Sequence, residues 1–232
     1  MRHMEEPGLE ALTTLSTLDD PVRRRLYAHV ASAAAPVGRD EAAHAAGISR
    51  TLAAYHLDKL AGAGLLTVSY ARPGGRGGPG AGRPAKLYAR AERELAATVP
   101  PRDYGLAARL LAEAAAADES GATADALCAA AERLGRQEAS ADDGADIPAA
   151  LRKRGYEPYD DDGALRLRNC PFHAAAREHP EVVCAMNLAL LRGLLDGLGR
   201  RDVAATLDPG PGRCCVALSP TARSAPGGSR SA

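Results

Sequence analysis

The chain has few aromatic residues, no long apolar run and no net charge. Aromatic side chains make up 3% of its 232 residues, with one Phe and no Trp, so its cores must rely on aliphatic side chains and alanine. The longest apolar stretch, residues 182–191, includes Asn187 and is too short to span a bilayer. Glu5, Glu6 and Pro7 stand where a secretory signal would need apolar residues. These absences predict a cytoplasmic protein that makes no contact with a membrane.

The zero net charge conceals an asymmetry along the chain. Residues 1–90 carry 12 basic and 8 acidic side chains, a net +4, whereas residues 91–232 carry 17 and 21, a net −4. Between Arg50 and Arg90, seven Lys and Arg residues accompany a single acidic residue, Asp58. A basic patch in a neutral protein indicates a binding site for a polyanion.

Residues 47–66, GISRTLAAYHLDKLAGAGLL, have the pattern of the second helix of a helix-turn-helix. Ser49 is an N-cap candidate, and Leu52, Leu57 and Leu60 fall on one helical stripe, which predicts the buried face. The polar face is expected to enter the major groove of DNA. The predicted DNA-binding residues of this helix are Ser49, which also caps it, and Arg50, Thr51, Tyr55, His56 and Lys59.

The neighbouring segments complete a predicted winged helix-turn-helix domain over residues 1–91. Helices are predicted over 22–33 and 39–46, and strand-like sequences flank the Gly- and Pro-rich segment 71–86. This segment is expected to form the tip of the wing, because glycine permits close approach to a backbone and arginine binds phosphates or the minor groove. The predicted contacts of the wing are Arg72, Arg76 and Arg83. No GxxxxGK[ST] pattern is present, so a nucleotide-binding loop is not indicated.

The rest of the chain predicts helices and a small mixed domain, which gives a fold class of mainly α with small β. Residues 92–141 are Ala-rich, and we expect them to form a helical connector that also mediates dimerisation, since alanine faces allow close packing. Residues 142–218 alternate strand and helix patterns and predict a small α+β sensor domain. Residues 219–232 have the composition of a disordered tail.

Four of the five cysteines lie in the last third of the chain. Neighbouring side chains of a strand point to opposite faces, so only one of Cys214 and Cys215 is expected to join Cys170 and Cys184. Three thiolates, with His173 or a non-protein group as a fourth ligand, suit a soft metal, either an iron–sulfur cluster or zinc. The alternatives are a thiol redox switch and simple burial of small side chains.

Together these motifs resemble those of bacterial winged-helix regulators of the ArsR/DeoR-like group. The resemblance covers nearly all of residues 10–218 and is greatest to the branch that contains the repressor of iron–sulfur cluster biosynthesis genes. It is carried by LDDPVRRRLY (18–27), GISRTLAAYHLDKLAGAGLL, GPGAGRPAKLY (78–88), NCPFH (169–173), Cys184 and RCCV (213–216). In that branch, cysteines at positions like Cys170, Cys184 and one of Cys214 and Cys215 hold an iron–sulfur cluster whose state sets the affinity for DNA.

The resemblance and the motifs lead us to expect a homodimeric repressor that binds double-stranded DNA at an inverted repeat. Two other classes of function stay open from the sequence. The first is a protein-interaction module that uses the winged-helix scaffold without binding DNA. The second is an enzyme with Cys170 as nucleophile near His173, but no orienting acid or oxyanion device is apparent, so we expect no catalytic activity.

Overall fold

The chain divides into two compact units, residues 1–102 and 103–232. Among the described residues, no helix is both long and apolar enough to cross a membrane. The structure is a computed structural model that describes residues 7–71, 84–98, 102–139, 146–210 and 212–221.

The first unit contains a helix-turn-helix and the β-hairpin expected of a winged helix. Its sheet has the antiparallel strand order β1-β3-β2, in which Tyr88 of the central strand lies opposite both Val37 and Val68. The elements are α1 (Pro7–Ser16), a short 3-10 helix (Thr17–Asp19), α2 (Pro21–Ser32), β1 (Val37–Gly38), α3 (Arg39–Ala46), α4 (Arg50–Gly62), β2 (Leu66–Ala71) and β3 (Ala85–Arg90).

Local capping chemistry explains why these helices begin and end where they do. The Asp20 carboxylate accepts hydrogen bonds from two backbone N–H groups in the first turn of α2. Gly47 ends α3 in the left-handed conformation, with φ of 65°, and so makes the tight turn. The Ser49 hydroxyl then accepts the N–H of Leu52 at 3.3 Å and caps α4. The predicted helices α2, α3 and α4 are therefore confirmed, whereas the two-residue strand β1 was not predicted.

The second unit combines five helices with a four-stranded antiparallel sheet among its described residues, in the strand order β4-β5-β7-β6. Its core surrounds Leu151, Leu167, Leu191 and Leu194, all essentially buried. The elements are α5 (Tyr104–Ala116), α6 (Ala122–Ala139), α7 (Ile147–Lys153), β4 (Pro158–Asp161), β5 (Ala164–Leu167), α8 (His173–Glu178), α9 (Pro180–Gly197), β6 (Val203–Leu207) and β7 (Val216–Pro220).

The helices α6 and α9 pack along each other with very close backbone approach. A Cβ atom added at Gly135 would collide with the backbone of Leu190, and one at Gly193 would collide with the carbonyl of Glu132. The division between a connector at 92–141 and a separate sensor domain stays a prediction, but the helix α6 of the connector packs directly on α9. Because its small residues let α6 lie against α9, the predicted connector helix belongs to the same packed unit as the cysteines.

Candidate DNA-binding surface and cysteine cluster

The exposed face of α4 carries most of the polar residues that the sequence predicts for the groove. Arg50, Thr51, Tyr55 and Lys59 are all exposed, and Ser49 lies exposed at the cap. The Nε atom of Arg50 lies 2.7 Å from the Asp40 carboxylate in an ion pair whose two side chains are 69% and 76% exposed. Such an exposed pair contributes little stability, so Arg50 can exchange Asp40 for another anion at small cost.

One of the predicted groove residues faces the other way. His56 is only 7% exposed, and its buried Nδ1 atom has no hydrogen-bond partner among the described residues. The expectation that His56 contacts the groove is therefore wrong, because position 56 lies between Ala53 and Leu60 on the face that packs into the core.

Leu52 is exposed although the apolar stripe predicted that it would be buried. It is 41% exposed, whereas the small Ala53 takes its place in the core. Leu52 shares a helical face with Tyr55 and Lys59, whose ammonium lies 5.8 Å from the centre of the Tyr55 ring. This face therefore combines an apolar side chain with the polar and cationic ones, and apolar side chains can contact the methyl group of thymine in a major groove.

Another side of α4 is fixed to the sheet by a closed polar network around Asp58. Its carboxylate accepts hydrogen bonds from Lys86 Nζ at 2.6 Å, the Tyr88 hydroxyl at 2.5 Å and Arg39 Nη2 at 3.3 Å. Burial opposes the ionisation of Asp58, but the bonds from Lys86 and Tyr88 outweigh it and lower the pKa of this carboxyl. The network sets the orientation of α4 against β3, and it engages one cation of the basic patch, Lys86.

The three predicted arginine contacts of the wing, Arg72, Arg76 and Arg83, lie outside the described residues. The strands β2 and β3 that flank them form the expected antiparallel hairpin, with Ala71 opposite Ala85 at its end.

The second candidate site is a cluster of the four C-terminal cysteines. Cys170 follows β5, Cys184 lies on α9, and Cys214 and Cys215 immediately precede β7. The four thiols lie near one another, so that Cys170 interacts electrostatically with Cys214, Cys214 with Cys215, and Cys215 with Cys184. Cys214 and Cys215 both lie before β7, so the alternation of a strand, on which the expectation of a single participating cysteine rested, does not apply to them.

Neighbouring thiols shift the pKa values within the cluster in opposite directions. Interaction with the neighbouring thiols, first Cys170 and then Cys215, lowers the pKa of Cys214. The interaction with Cys214, together with burial, raises the pKa of each of its two partners. The thiols of the cluster are therefore coupled in their ionisation.

A buried amide and a buried phenol complete the surroundings of the thiols. Asn187 of α9 is 1% exposed, and its Nδ2 lies 3.3 Å from Cys214 Sγ and 4.0 Å from Cys170 Sγ. Its Oδ1 accepts the hydroxyl of Tyr156 at 2.5 Å. Burial, followed by the nearby thiols, raises the pKa of Tyr156. Sequence reasoning did not assign a role to either residue, although a lone Asn in an apolar helical run is a signal that could have found the first.

His173 does not join this cluster. Its side chain is exposed at the start of α8, and no described contact links it to a sulfur; only its backbone N–H bonds to the carbonyl of Cys170, at 3.0 Å. The expectation of a His173 ligand is therefore not met, and a fourth thiol lies with the other three instead. Among the described residues, no group of three or more His, Cys, Asp or Glu is arranged to hold a metal ion.

Comparison with known protein families finds a helix-turn-helix domain at residues 18–69, which run from the 3-10 helix through α4 into β2. This match supports a DNA-binding regulator, a class of protein that is usually not enzymatic. No curated protein and no solved structure matches the chain.

Proposed function

We propose that the protein is a homodimeric transcriptional repressor that reads an inverted repeat in double-stranded DNA with α4, and whose cysteine cluster adjusts its affinity for DNA. The observation that carries the DNA-binding part is the exposed face of α4, which presents Arg50, Thr51, Tyr55 and Lys59 within the matched helix-turn-helix domain. The cap at Ser49 and the network at Asp58 hold this face in place, so that little ordering is required when DNA binds.

An inverted repeat requires two copies of α4, related by a two-fold axis and separated by about 34–36 Å along the duplex. The exposed apolar side chains of α5 support a dimer interface in the second unit, because Leu106, Leu110 and Leu111 are 43%, 56% and 72% exposed. The wing arginines Arg72, Arg76 and Arg83 would add contacts to the backbone or the minor groove.

Selection of binding sites from random duplexes, followed by titration with salt, tests the DNA-binding part. Phosphate contacts make the affinity fall steeply with salt. If Arg50 reads a base, Arg50→Ala should cost about 1–3 kcal/mol on the selected site and much less on random DNA. Arg200→Ala, which removes the same charge from the second unit, is the control. An equal loss for Arg50→Ala on both duplexes would reduce Arg50 to a phosphate contact, and no binding to any duplex would overturn the proposal.

The sensing part is supported by the chemistry of the donor set. Thiolates are the ligand type that soft metals and iron–sulfur clusters prefer, and four thiols come near one another from three segments of the chain. In the described structure they are not arranged to hold a metal ion, so binding would require the loops to move. Cys170, Cys184, Cys214 and Cys215 would hold the group, which would supply sensitivity to iron, oxidants or zinc. Its presence changes affinity for DNA only if the group binds differently to the DNA-competent and DNA-incompetent states.

A thiol redox switch is the second candidate, and a specific observation favours it. The four free thiols lie near one another, and the described residues contain no group of three His, Cys, Asp or Glu that could hold a metal ion. With a hydroperoxide as oxidant, two neighbouring thiols would lose two electrons and two protons to form a disulfide, while the peroxide is reduced to water and alcohol.

Anaerobic purification without a metal-binding tag, followed by an absorbance spectrum and analysis of iron, sulfide and zinc, separates these candidates. A visible band with iron and acid-labile sulfide indicates a cluster, and stoichiometric zinc without colour indicates a zinc site. In either case, Cys170→Ser and Cys184→Ser should lose the metal and the regulation, whereas Cys128→Ser, outside the cluster, should keep both. A protein without metal in which peroxide alters DNA binding would be a thiol switch.

A further inference from the structure

A groove in the second unit has no part in the proposed regulation. Its volume is about 620 Å³, within the range of about 300–1,000 Å³ that is usual for binding sites of small molecules. Its lining is mostly apolar, and the apolar side chains come from three places in the fold. They include Leu134 of α6, Leu190 of α9, and Pro171 and Phe172 between β5 and α8. Such a lining suits an apolar molecule better than an inorganic ion.

The walls of this groove are held in place by contacts within the protein. On one side, α6 and α9 touch through their backbones, because a Cβ added at Gly135, next to Leu134, would lie 2.1 Å from the carbonyl oxygen of Leu190. On the other side, the Asn169 amide donates to the carbonyl of Gly155 at 2.7 Å and ties the loop after β5 to the turn after α7. A groove that is already formed takes up a ligand with little cost of ordering.

The polar side chains of the groove carry a net positive charge. Lys153 and Arg154 stand at the end of α7, and Glu138 is the one acidic side chain among the described lining residues, so that two positive charges and one negative charge give +1. Arg154 Nε donates to Glu138 at 2.8 Å and its Nη1 donates to the Ala150 carbonyl at 2.8 Å, which fixes a guanidinium that is only 12% exposed. A net charge of +1 matches a monoanion, whereas a phosphate monoester carries about two negative charges at neutral pH.

We propose that this groove binds a small molecule with an apolar body and a single carboxylate, the chemical class of a fatty acid of medium chain length. The alkyl chain would lie against Leu134, Leu190 and Phe172, and each methylene that is buried there would raise the affinity about fourfold. The carboxylate would bind at Lys153 and Arg154, and it sets the orientation of the ligand because these cations adjoin each other at one end of α7. The proposal depends neither on DNA binding nor on what the cysteines bind.

Titration of the full-length reduced protein with octanoate, 1-octanol and octylammonium, followed by NMR of labelled leucine methyl groups, tests the proposal. Octanoate should shift the signals of Leu134 and Leu190 to saturation, and it should bind more tightly than octanol, with octylammonium the weakest. Hexanoate, which lacks two methylenes, should bind about 10-fold more weakly than octanoate. Equal affinity for octanoate and octanol would overturn the carboxylate class. Shifts confined to the exposed leucines of α5 would overturn the groove as the site.

Two pairs of variants locate the ligand, with affinity read from the Leu190 signal. Leu134→Ala should weaken octanoate binding about 5-fold, whereas Leu207→Ala, which truncates a side chain of similar exposure (50% against 47%) outside the groove, should not. Lys153→Gln should weaken octanoate binding about 2–5-fold and leave octanol binding unchanged. Arg152→Gln removes the same charge from the neighbouring position of α7, outside the lining, and should leave both unchanged. An equal loss in both members of either pair would contradict the proposed site.

Discussion

Both units of the chain bury a tyrosine whose hydroxyl bonds to a polar residue of a helix, but the two networks end in different chemistry. Tyr88 donates to Asp58 of α4, and Tyr156 donates to Asn187 of α9, each at 2.5 Å. The first network closes on two cations of the same unit. The second ends on the sulfurs of Cys170 and Cys214.

The network around Asp58 supports the exposed face of α4, whereas the network around Asn187 is part of the candidate cysteine site. The charge of Asp58 is satisfied by Arg39 and Lys86, so the network can orient α4 without itself reacting or binding. The amide of Asn187 places neutral donors beside thiols, which can ionise or be oxidised, so a change in the state of the thiols would change its hydrogen bonds. The first network therefore supports the fold, whereas the second contains thiols that can change their chemical state.

Separation of the two units predicts that damage to the scaffold of the cysteines leaves the DNA-binding unit folded. In Gly193→Ala the new Cβ would collide with the carbonyl of Glu132, and α9 would have to move away from α6. We expect a loss of about 3 kcal/mol or more in the free energy of unfolding of the second unit, since the obstacle is backbone and cannot turn aside. Urea unfolding followed by circular dichroism, with thiol accessibility to a mild alkylating reagent, measures it.

Gly105→Ala is the matched control for this substitution. Gly105 lies in the first turn of α5 in the same unit, and the nearest atom to its added Cβ, an oxygen of Asp103, is at an ordinary 3.6 Å. This variant should be neutral or gain about 0.5–1 kcal/mol. Equal stability of Gly193→Ala and Gly105→Ala would show that the backbones of α6 and α9 leave room for a methyl group at position 193.

The closed network of the first unit predicts a smaller effect, which depends on pH. Asp58→Asn removes the charge that Lys86 and Arg39 pair with, and we expect it to cost about 1 kcal/mol, because the side chain is 44% exposed and solvent screens the pairs. Since the pKa of Asp58 is lowered by folding, its contribution is present above the unfolded value of about 3.9 and is lost as the pH falls through the folded value.

Urea titrations at pH 7 and at pH 3 measure the contribution of Asp58 to the free energy of unfolding. The difference between the wild type and Asp58→Asn should be present at pH 7 and shrink at pH 3. Asp40→Asn, in the exposed pair with Arg50, is the control and should change stability little at pH 7. A difference for Asp58→Asn that does not depend on pH would mean that the lost hydrogen-bond geometry matters and the charge does not.

Features governed by neighbouring residues were predictable from the sequence. The caps at Asp20 and Ser49 and the turn at Gly47 follow from local chemistry, and the helices begin and end close to the predicted residues. The buried and exposed sides of α4 were predicted less well, because an assignment from hydrophobic periodicity places every Leu of the stripe in the core. It could not anticipate that the core accepts Ala53 and His56 while Leu52 stays exposed.

The cysteine site depends on contacts between distant segments, and its composition was predicted better than its geometry. The spacing of the cysteines indicated a common site for three thiols. It could not place Cys215 with the others, because that depends on where β7 begins, at Val216. The contacts of Asn187 and Tyr156 could not be predicted from the sequence for the same reason. They form only when the loops pack against α9.

The smallest expected effect concerns Leu52, the exposed apolar side chain on the face of α4. If it contacts the methyl group of a thymine, Leu52→Ala should weaken binding to the selected DNA site by about 0.8 kcal/mol, the value of one buried methyl-sized group. Replacement of thymine by uracil removes only that methyl group from the DNA. The wild type should therefore bind the uracil site more weakly than the thymine site, and Leu52→Ala should bind both equally.

Leu12→Ala is the control for the loss of an exposed apolar side chain, because Leu12 of α1 is also 41% exposed and lies off the face of α4. It should keep the wild-type preference for thymine over uracil. Since each comparison uses one protein on two duplexes that differ by a methyl group, changes in folding or in phosphate contacts cancel. A preference for thymine that survives in Leu52→Ala would assign the methyl contact to another residue, with Tyr55 the nearest alternative on the same face.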